Sequence, residues 1–429
     1  MMKRSISQSL ALLDRARAKI PCQTQCLSKG PTQFVQGVAP VYLQHGEGSH
    51  VWDVDGNEYI DFMSGLGPIC LGYNYPRTND AIRRQLDDGT TFSLMHPLEV
   101  EVAELLTEVI PCAEMVRFGK NGSDVTSAAV RIARAYTGRD HLAQWGYHGW
   151  HDWYAVTTRR NQGIPRQFAE LIHPFIYNQI ESLEKILQQY PEDIAAVIME
   201  PVGTSAPQNN FLQEVKNLCE RYGALLIFDE VITGFRWALG GAQQYYQVVP
   251  DLACFGKSIA NGMPLSAVVG SREVMSASEE VFFSLTFGGE CLSLAAALAT
   301  ISEIREKDVI EYIWRQGRVL QEGLNRLSQE YGLSDNVRCV GYPVRSVVQF
   351  ETGNKTSLLL KTLFQQEVIK RGVLFAGYHN ISFSHSDADI QQTLIAYEHA
   401  LQYIQSAMGN GRLEDALEGT VVQDALRPS

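Results

Sequence analysis

The sequence predicts an α/β protein, with a mainly parallel sheet carrying helices on both faces and a smaller α+β lobe beside it. Three observations lead there. Short continuous apolar runs recur at Ile194 to Glu200, Ala224 to Phe228 and Leu252 to Phe255, as expected of strands buried on both faces. Helical patterns alternate with them, at Glu99 to Val109, from about Asp124, and at Gln213 to Tyr222. The apolar runs also end in residues with chemistry to offer, Glu200, Asp229 and Gly256-Lys257-Ser258, and open α/β sheets bind their ligands at the carboxyl ends of strands.

The elements follow in order. Ser7 to Ile20 places Leu10, Leu13, Ala16 and Ile20 among charges, which suggests a short amphipathic helix. Val41 to Phe62 alternates around the turn signals Gly46-Glu47-Gly48 and Asp55-Gly56, and reads as an antiparallel meander. Its DVDG lacks the rest of a calcium loop. Two helical patterns occupy Asn79 to Pro111, the second with Val100, Ala103, Leu105, Leu106 and Val109 inward. A strand at Met115 to Phe118 runs through Gly119-Lys120-Asn121-Gly122-Ser123 into a helix that buries Val125, Ala128, Ala129, Ile132 and Ala133. After the strand-like HLAQW and the central runs, Phe287-Gly288-Gly289 turns into a helix from Cys291 to about Ile304. Beyond Glu306, RSVVQFE and VLFAG are the clearest strands, and the terminal DALRPS reads as a loose tail. The expected division is residues 1–75 as an arm and part of the small lobe, 76–310 as the large domain, and 311–429 as the rest of the small lobe.

A chain of 429 residues, 45% hydrophobic and 20% charged, has the composition of an ordinary globular protein and can bury a large core. Its net charge of -12 argues against nucleic acid or an anionic membrane as a partner. The eight cysteines are scattered, with only Cys22 and Cys26 close and no histidine cluster beside them, so no metal site is expected. No segment has the length of a signal core or a membrane span, and a cytoplasmic location is expected.

Asp229 and Lys257 carry the chemistry. An aspartate after a strand is ordinarily a cap or a metal ligand, and a lone lysine is ordinarily solvated. Together they suit pyridoxal 5'-phosphate (PLP), which needs a lysine to hold its aldehyde as a Schiff base and a carboxylate to keep the pyridine nitrogen protonated. The glycine-rich turn before the helix at Asp124 is a plausible phosphate cup, because helix N-termini present free N–H groups and positive dipole ends. FDEVITGFR, GAQQYYQVVPDL and GKSIANGMPLSAVVG resemble the core of class III (ω-type) PLP-dependent aminotransferases, which have the fold-type I architecture, and within them glutamate-1-semialdehyde 2,1-aminomutase. The likeness runs from about Gly46 to Ile304. It implies that Lys257 holds the cofactor and acts as general base, and that Asp229 stabilises the protonated ring. It further implies that Tyr147 and Val231 sandwich the ring and that Gly122, Ser123 and Thr286 hold its phosphate. His148, followed by Gly-Trp-His, has no carboxylate spacing for a metal and is read as standing behind the cofactor, and Glu200, at its strand end, is expected among the cofactor-binding residues. In the family the threonine acts on the other subunit's cofactor, so a homodimer with composite sites is expected.

The substrate side departs from that pattern. The aminomutase's carboxylate-binding arginine has no counterpart in KGPTQFV (Lys29 to Val35), and the tryptophan of its SWGP is Leu66. Its long gate loop is replaced by TTRRNQGIPRQF, and its Gln-Phe-Glu is missing from FAGYHNISFSHSD. The ornithine and γ-aminobutyrate type fits no better: its EPxxGExG glutamate falls at Ser205, and its carboxylate-binding arginine has no equivalent in HNISFSHS. A buried carboxylate without its arginine would lose several kcal/mol of binding. The expectation is therefore an open-cycle transaminase that moves an amino group from a small-molecule donor to a less anionic carbonyl acceptor, such as a sugar or a biosynthetic intermediate. The aminomutase is the alternative; a non-catalytic relative, or a racemase or decarboxylase of the same fold, stands further off because Asp229, Lys257 and the phosphate cup are all present.

Overall fold

The computed structural model describes residues 4–353 and 355–423, and the DALRPS end lies outside them. The chain forms two compact units, one using the chain up to Tyr75 and again from Glu311, the other Pro76–Ile310.

The first unit opens with α1 (Ser7–Arg17), shorter than its apolar pattern suggested, with Leu13 and Ala16 buried but Leu10 exposed. Its N-terminus is capped from a distance. The Asp55 carboxylate accepts the Gln8 and Ser9 N–H groups at 2.9 and 3.0 Å and the Ser7 hydroxyl at 3.2 Å, so the DVDG turn serves helix α1. The meander is present as antiparallel β1 (Leu43–Glu47), β2 (His50–Asp53) and β3 (Glu58–Asp61).

The second unit starts with α2 (Pro76–Asp88) and α3 (Pro97–Val109). In α3 the buried stripe is Val102, Leu105 and Leu106, and Val100, expected inward, is exposed; helical spacing puts Val102 in line with Leu105 and Leu106. The sheet comprises β4 (Met115–Gly119), β5 (His141–Trp145), β6 (Ile172–Pro174), β7 (Ile194–Met199), β8 (Leu225–Asp229), β9 (Leu252–Phe255) and β10 (Ser266–Gly270). The strand order is β4-β10-β9-β8-β7-β5-β6. All pairs are parallel except those of β10, which runs antiparallel to both β4 and β9. Every residue of β7, β8, β9 and β10 is buried, as required of a sheet covered on both faces. Helix α4 (Gly122–Thr137) buries Val125, Ala128, Ala129, Ile132 and Ala133 in one core cluster with Ile198, Ile227, Cys254 and Val268. The unit is completed by α5 (Asp152–Ala155), α6 (Ile180–Gln189), α7 (Phe211–Tyr222), α8 (Ala242–Tyr246), α9 (Arg272–Ser276) and α10 (Cys291–Glu306).

The chain returns through α11 (Val309–Glu330), a small sheet of β11 (Val337–Tyr342), β12 (Arg345–Thr352) and β13 (Lys355–Thr356), α12 (Leu358–Lys370), β14 (Val373–Leu374) and α13 (Asp387–Gly409). Of VLFAG only Val373–Leu374 is a strand, and it pairs parallel to β3. The stretch after α13 is packed as far as it is described: Val422 is buried, and its N–H donates to Thr362 Oγ1 at 3.1 Å. Among the described residues no helix is long and apolar enough to cross a membrane, all eight cysteines are free thiols, and no cluster of histidine, cysteine and carboxylate could hold a metal.

Candidate active site

Five strands of the large sheet point the same way and deliver side chains to one edge. The carboxyl end of β4 leads to Gly122 and Ser123, that of β5 to Tyr147 and His148, and that of β7 to Glu200; β8 ends on Asp229 and β9 runs into Lys257. Residues 135 apart in sequence meet because parallel strands bring all their carboxyl ends to one side.

The Asp229 carboxylate is almost fully buried and held at both oxygens. Oδ2 lies 2.8 Å from His148 Nδ1, and Oδ1 accepts the Val231 N–H at 3.1 Å. His148, itself buried, places Nε2 3.0 Å from the Trp145 carbonyl. Val231 then fills a gap between two bare backbones: a Cβ on Gly122 would stand 3.1 Å from its Cγ1, and one on Gly256 would stand 3.4 Å from the same atom. The start of α4 and the residue before Lys257 are thereby bridged by one branched side chain.

The loop after β5 lies on the first turn of α4. Gly149, at φ +103°, is so close that a Cβ there would sit 2.2 Å from Ser123 Oγ, and Ser123 Oγ accepts the Trp150 N–H at 3.3 Å. Glu200 holds the other end of this loop, its Oε2 accepting the Tyr147 N–H at 3.0 Å. The Tyr147 ring is half exposed and stands edge-on to the buried Tyr154 ring at 5.6 Å. At α4 itself, Asp124 Oδ2 accepts the N–H groups of Lys120 and Asn121 at 3.0 and 2.7 Å. Gly122 and Ser123, the first helical residues, have no intrahelical acceptor for their N–H groups.

Lys257 has φ +44°, left-handed for a residue that carries a Cβ. Such a conformation costs on the order of 1–3 kcal/mol and persists where the surroundings enforce it, commonly at functional sites. Thr286 is exposed, in the segment before α10.

Two buried neighbours were not singled out in the sequence. Glu230 directs its carboxylate to the first turn of α8, accepting the Ala242 and Gln243 N–H groups at 2.7 and 2.8 Å and the Thr233 hydroxyl. Burial pushes its pKa up to about 7 in spite of these donors. Arg236 is fully buried, with Nη2 3.5 Å from the hydroxyl of Ser258, the residue after Lys257. FDEVITGFR contains both, but apart from Thr233 their partners lie 12 to 22 residues further on, beyond the reach of local pattern.

A lysine and a carboxylate at adjacent strand ends, beside a glycine-lined helix N-terminus, define a fold-type I PLP-dependent enzyme. Residues 34–401 match the family described as aminotransferase class-III, and the chain belongs to it. It is 36% identical over 419 residues to the 3-aminobutyryl-CoA aminotransferase of Cloacimonas acidaminovorans (strain Evry), covering 95% of this chain and 99% of that protein. It is 37% identical over 386 residues to the glutamate-1-semialdehyde 2,1-aminomutase of Persephonella marina (strain DSM 14350 / EX-H1), covering 83% and 90%. Among solved structures, the PLP form of the FumI protein of Sphingopyxis sp. MTA144 superposes with a TM-score of 0.90 at 28% identity, covering 97% of this chain and 99% of that one. The ω-transaminase of Sphaerobacter thermophilus does so with a TM-score of 0.83 at 27% identity, covering 92% and 97%. The protein is accordingly a PLP-dependent aminotransferase of class III.

Proposed function

We propose that PLP is held at the strand-end cluster, with the transferred amino group passing from a free donor to a 3-oxoacyl thioester. The meeting of Asp229, His148, Val231 and Gly122 at one sheet edge, next to a strained Lys257, carries the first part. The residues fit the group: a buried carboxylate for the ring nitrogen, the Val231 methyls against the bare backbones of Gly122 and Gly256, and helix N–H groups for a phosphate. Bound there, PLP supplies a ring that takes up the electron pair left when a proton leaves the amino-bearing carbon. Lys257 would hold the cofactor, and its Nζ, freed when the donor's amine takes its place, would move that proton from the amino-bearing carbon to the cofactor's reactive carbon. Asp229 holds a proton at the ring nitrogen, and His148 fixes the carboxylate's orientation. Tyr147, positioned through its N–H by Glu200, covers the ring opposite Val231 and excludes water. Gly122 and Ser123 take the phosphate, joined by Thr286 from a second copy in a homodimer.

Two facts support the thioester. The carboxylate-binding arginines of the amino-acid enzymes have no counterpart in this sequence, and a thioester has no carboxylate at that end to anchor. The 3-aminobutyryl-CoA aminotransferase matches nearly end to end. The 37% identity to the aminomutase favours an intramolecular transfer instead, and separate half-reactions distinguish the two. With holoenzyme, an amino donor such as glutamate added alone should change the cofactor's visible absorbance and release a free oxo acid; 3-oxobutyryl-CoA should then restore it. If glutamate-1-semialdehyde alone gives 5-aminolevulinate faster than every donor and acceptor pair reacts, the aminomutase reading replaces this one.

A further inference from the structure

The segment that leaves the site loop carries charge against the trend of the chain. From Trp153 to Ala169 there are three arginines, Arg159, Arg160 and Arg166, and no acidic residue, in a protein of net charge -12. All three are exposed, and among the described residues their side chains make no hydrogen bond or ion pair. Several other arginines of the same unit are engaged: Arg77, Arg83, Arg221 and Arg305 lie against carboxylates, and Arg117, Arg131 and Arg139 donate to backbone carbonyls; Arg159, Arg160 and Arg166 differ from the exposed Arg84 and Arg272 in lying together on one segment.

The segment is built rather than loose. Ile164 and Phe168 pack on the core cluster that contains Trp153 and Tyr154. The Asn161 side-chain amide donates to the Val156 carbonyl at 3.3 Å, and the Ile164 and Phe168 N–H groups donate to Asn161 and Pro165 at 3.2 Å each. Its near end is tied to the site, because Tyr154 lies edge-on to both the Tyr147 and His148 rings, at 5.6 and 5.4 Å. One continuous stretch thus runs from the proposed ring-covering Tyr147, past Trp150 with 72% of its surface exposed, to three unpaired guanidinium groups.

We propose that Arg159, Arg160 and Arg166 bind the phosphate groups of coenzyme A in a thioester substrate, with the exposed Trp150 indole offering its face to the adenine. This rests on the thioester reading of the site. A guanidinium presents a planar fork of donors that matches phosphate oxygens and carries its charge at every working pH, and an exposed indole is a stacking surface for any base. A 3-oxoacyl group is small and gives a site little to hold; the nucleotide gives it several charges.

The test is binding of free coenzyme A to the PLP-loaded enzyme by calorimetry, alongside kinetics with 3-oxobutyryl-CoA and with the N-acetylcysteamine thioester of the same acid, which lacks the nucleotide. The combined Arg159→Gln, Arg160→Gln and Arg166→Gln variant should weaken coenzyme A binding roughly 10- to 100-fold, the scale expected for losing charge-assisted hydrogen bonds. The ratio of KM for the CoA thioester to KM for the truncated one should rise by the same factor. The variant's melting temperature and cofactor absorbance should match the parent's, and an Arg159→Gln, Arg160→Gln pair should fall between parent and triple variant. If coenzyme A does not bind the parent enzyme, or binds the triple variant within twofold of the parent, the site is refuted. If neither thioester is aminated yet coenzyme A binds and the triple variant loses it, the site stands and the substrate reading falls.

Discussion

Replacing Gly149 by alanine tests how closely the loop must lie on α4 for the cofactor to be held. A Cβ there would come 2.2 Å from Ser123 Oγ, 2.8 Å from Ser123 Cβ and 3.0 Å from Ser123 Cα. The last of these is backbone at the second residue of the helix, so a rotamer change at Ser123 cannot relieve it. The backbone at φ +103° adds strain for any residue with a Cβ, about 1 kcal/mol at the least. Forcing a methyl into a packed contact costs about 1–3 kcal/mol. If the loop yields by lifting from α4, Tyr147 and the phosphate cup separate, and the roughly 2–4 kcal/mol total appears as about 30- to 1000-fold weaker PLP binding. Gly138→Ala is the control: that glycine ends the same helix at φ +68° with nothing within 4 Å of a Cβ. It should lower thermal stability by about 1 kcal/mol and leave PLP affinity alone. PLP dissociation constants from absorbance titration of the apoproteins decide the matter. A Gly149→Ala enzyme that binds PLP within threefold of the parent, or a Gly138→Ala enzyme that loses as much affinity, would refute the reasoning.

Lys257→Ala should abolish turnover and the visible absorbance of lysine-bound cofactor, and a fully active variant would sink the assignment. A partly buried ion network in the smaller unit sets a pH dependence. His50 Nε2 lies 2.9 Å from Asp389 and Nδ1 lies 2.7 Å from Glu58, and the hydrogen bond to Asp389 raises the imidazole's pKa above 6.5 against the opposing effect of burial. The protonated form is therefore favoured by folding: this contribution is complete below pH 6.5 and is lost as the pH rises through the folded value. His50→Gln should lower the melting temperature at pH 6 and flatten its decline at higher pH; an unchanged slope contradicts this. Glu230 runs the other way for a carboxyl group. Burial holds its folded pKa at about 7 against an ordinary 4.5, so the folded state keeps a proton that the unfolded chain gives up, and stability falls as the pH rises from 4.5 through 7. Glu230→Gln should remove that fall, though it turns an amide towards one of the Ala242 and Gln243 N–H groups and should lower stability at pH 5; a slope equal to the parent's counts against the argument.

What the sequence revealed follows from where the information is local. Each buried strand is a run of apolar residues ended by a polar one, so Glu200, Asp229 and Lys257 mark their own positions, and the glycines at the start of α4 mark the proposed phosphate cup. Parallel topology then gathers them without further coding. Contacts across long separations left no such trace. His148 is 81 residues from Asp229, and nothing near either names the other. Asp55 is 46 to 48 residues from the helix it caps, so its DVDG setting resembled an isolated turn. The exposure of Val100 and Leu10 shows the limit of periodicity: apolar spacing marks a stripe, but neighbours decide how much of it is covered.

The same distinction explains why the cofactor was legible and the acceptor was not. The proposed cofactor-side positions are constrained by close packing: Gly122 and Gly149 face atoms that leave little or no room for a side chain, and Lys257 is held at φ +44°. Few residue types satisfy such positions, so the sequence there is close to a chemical statement. The stretch from Thr157 to Gln167 is mostly exposed and can change without disturbing the sheet, as loops that carry specificity do. There the aminomutase's long gate gives way to a short arginine-bearing segment, at the point where a mutase must retain its intermediate and a transaminase must release one product before accepting the next substrate. A firm gate would hinder that exchange, whereas a set of exposed guanidinium groups can hold a large anionic substrate from outside while its small acyl end reaches Lys257. On the proposed thioester reading, the loss of the gate and the gain of charge serve one chemistry, an intermolecular transfer to an acceptor whose binding energy lies far from its reacting carbon.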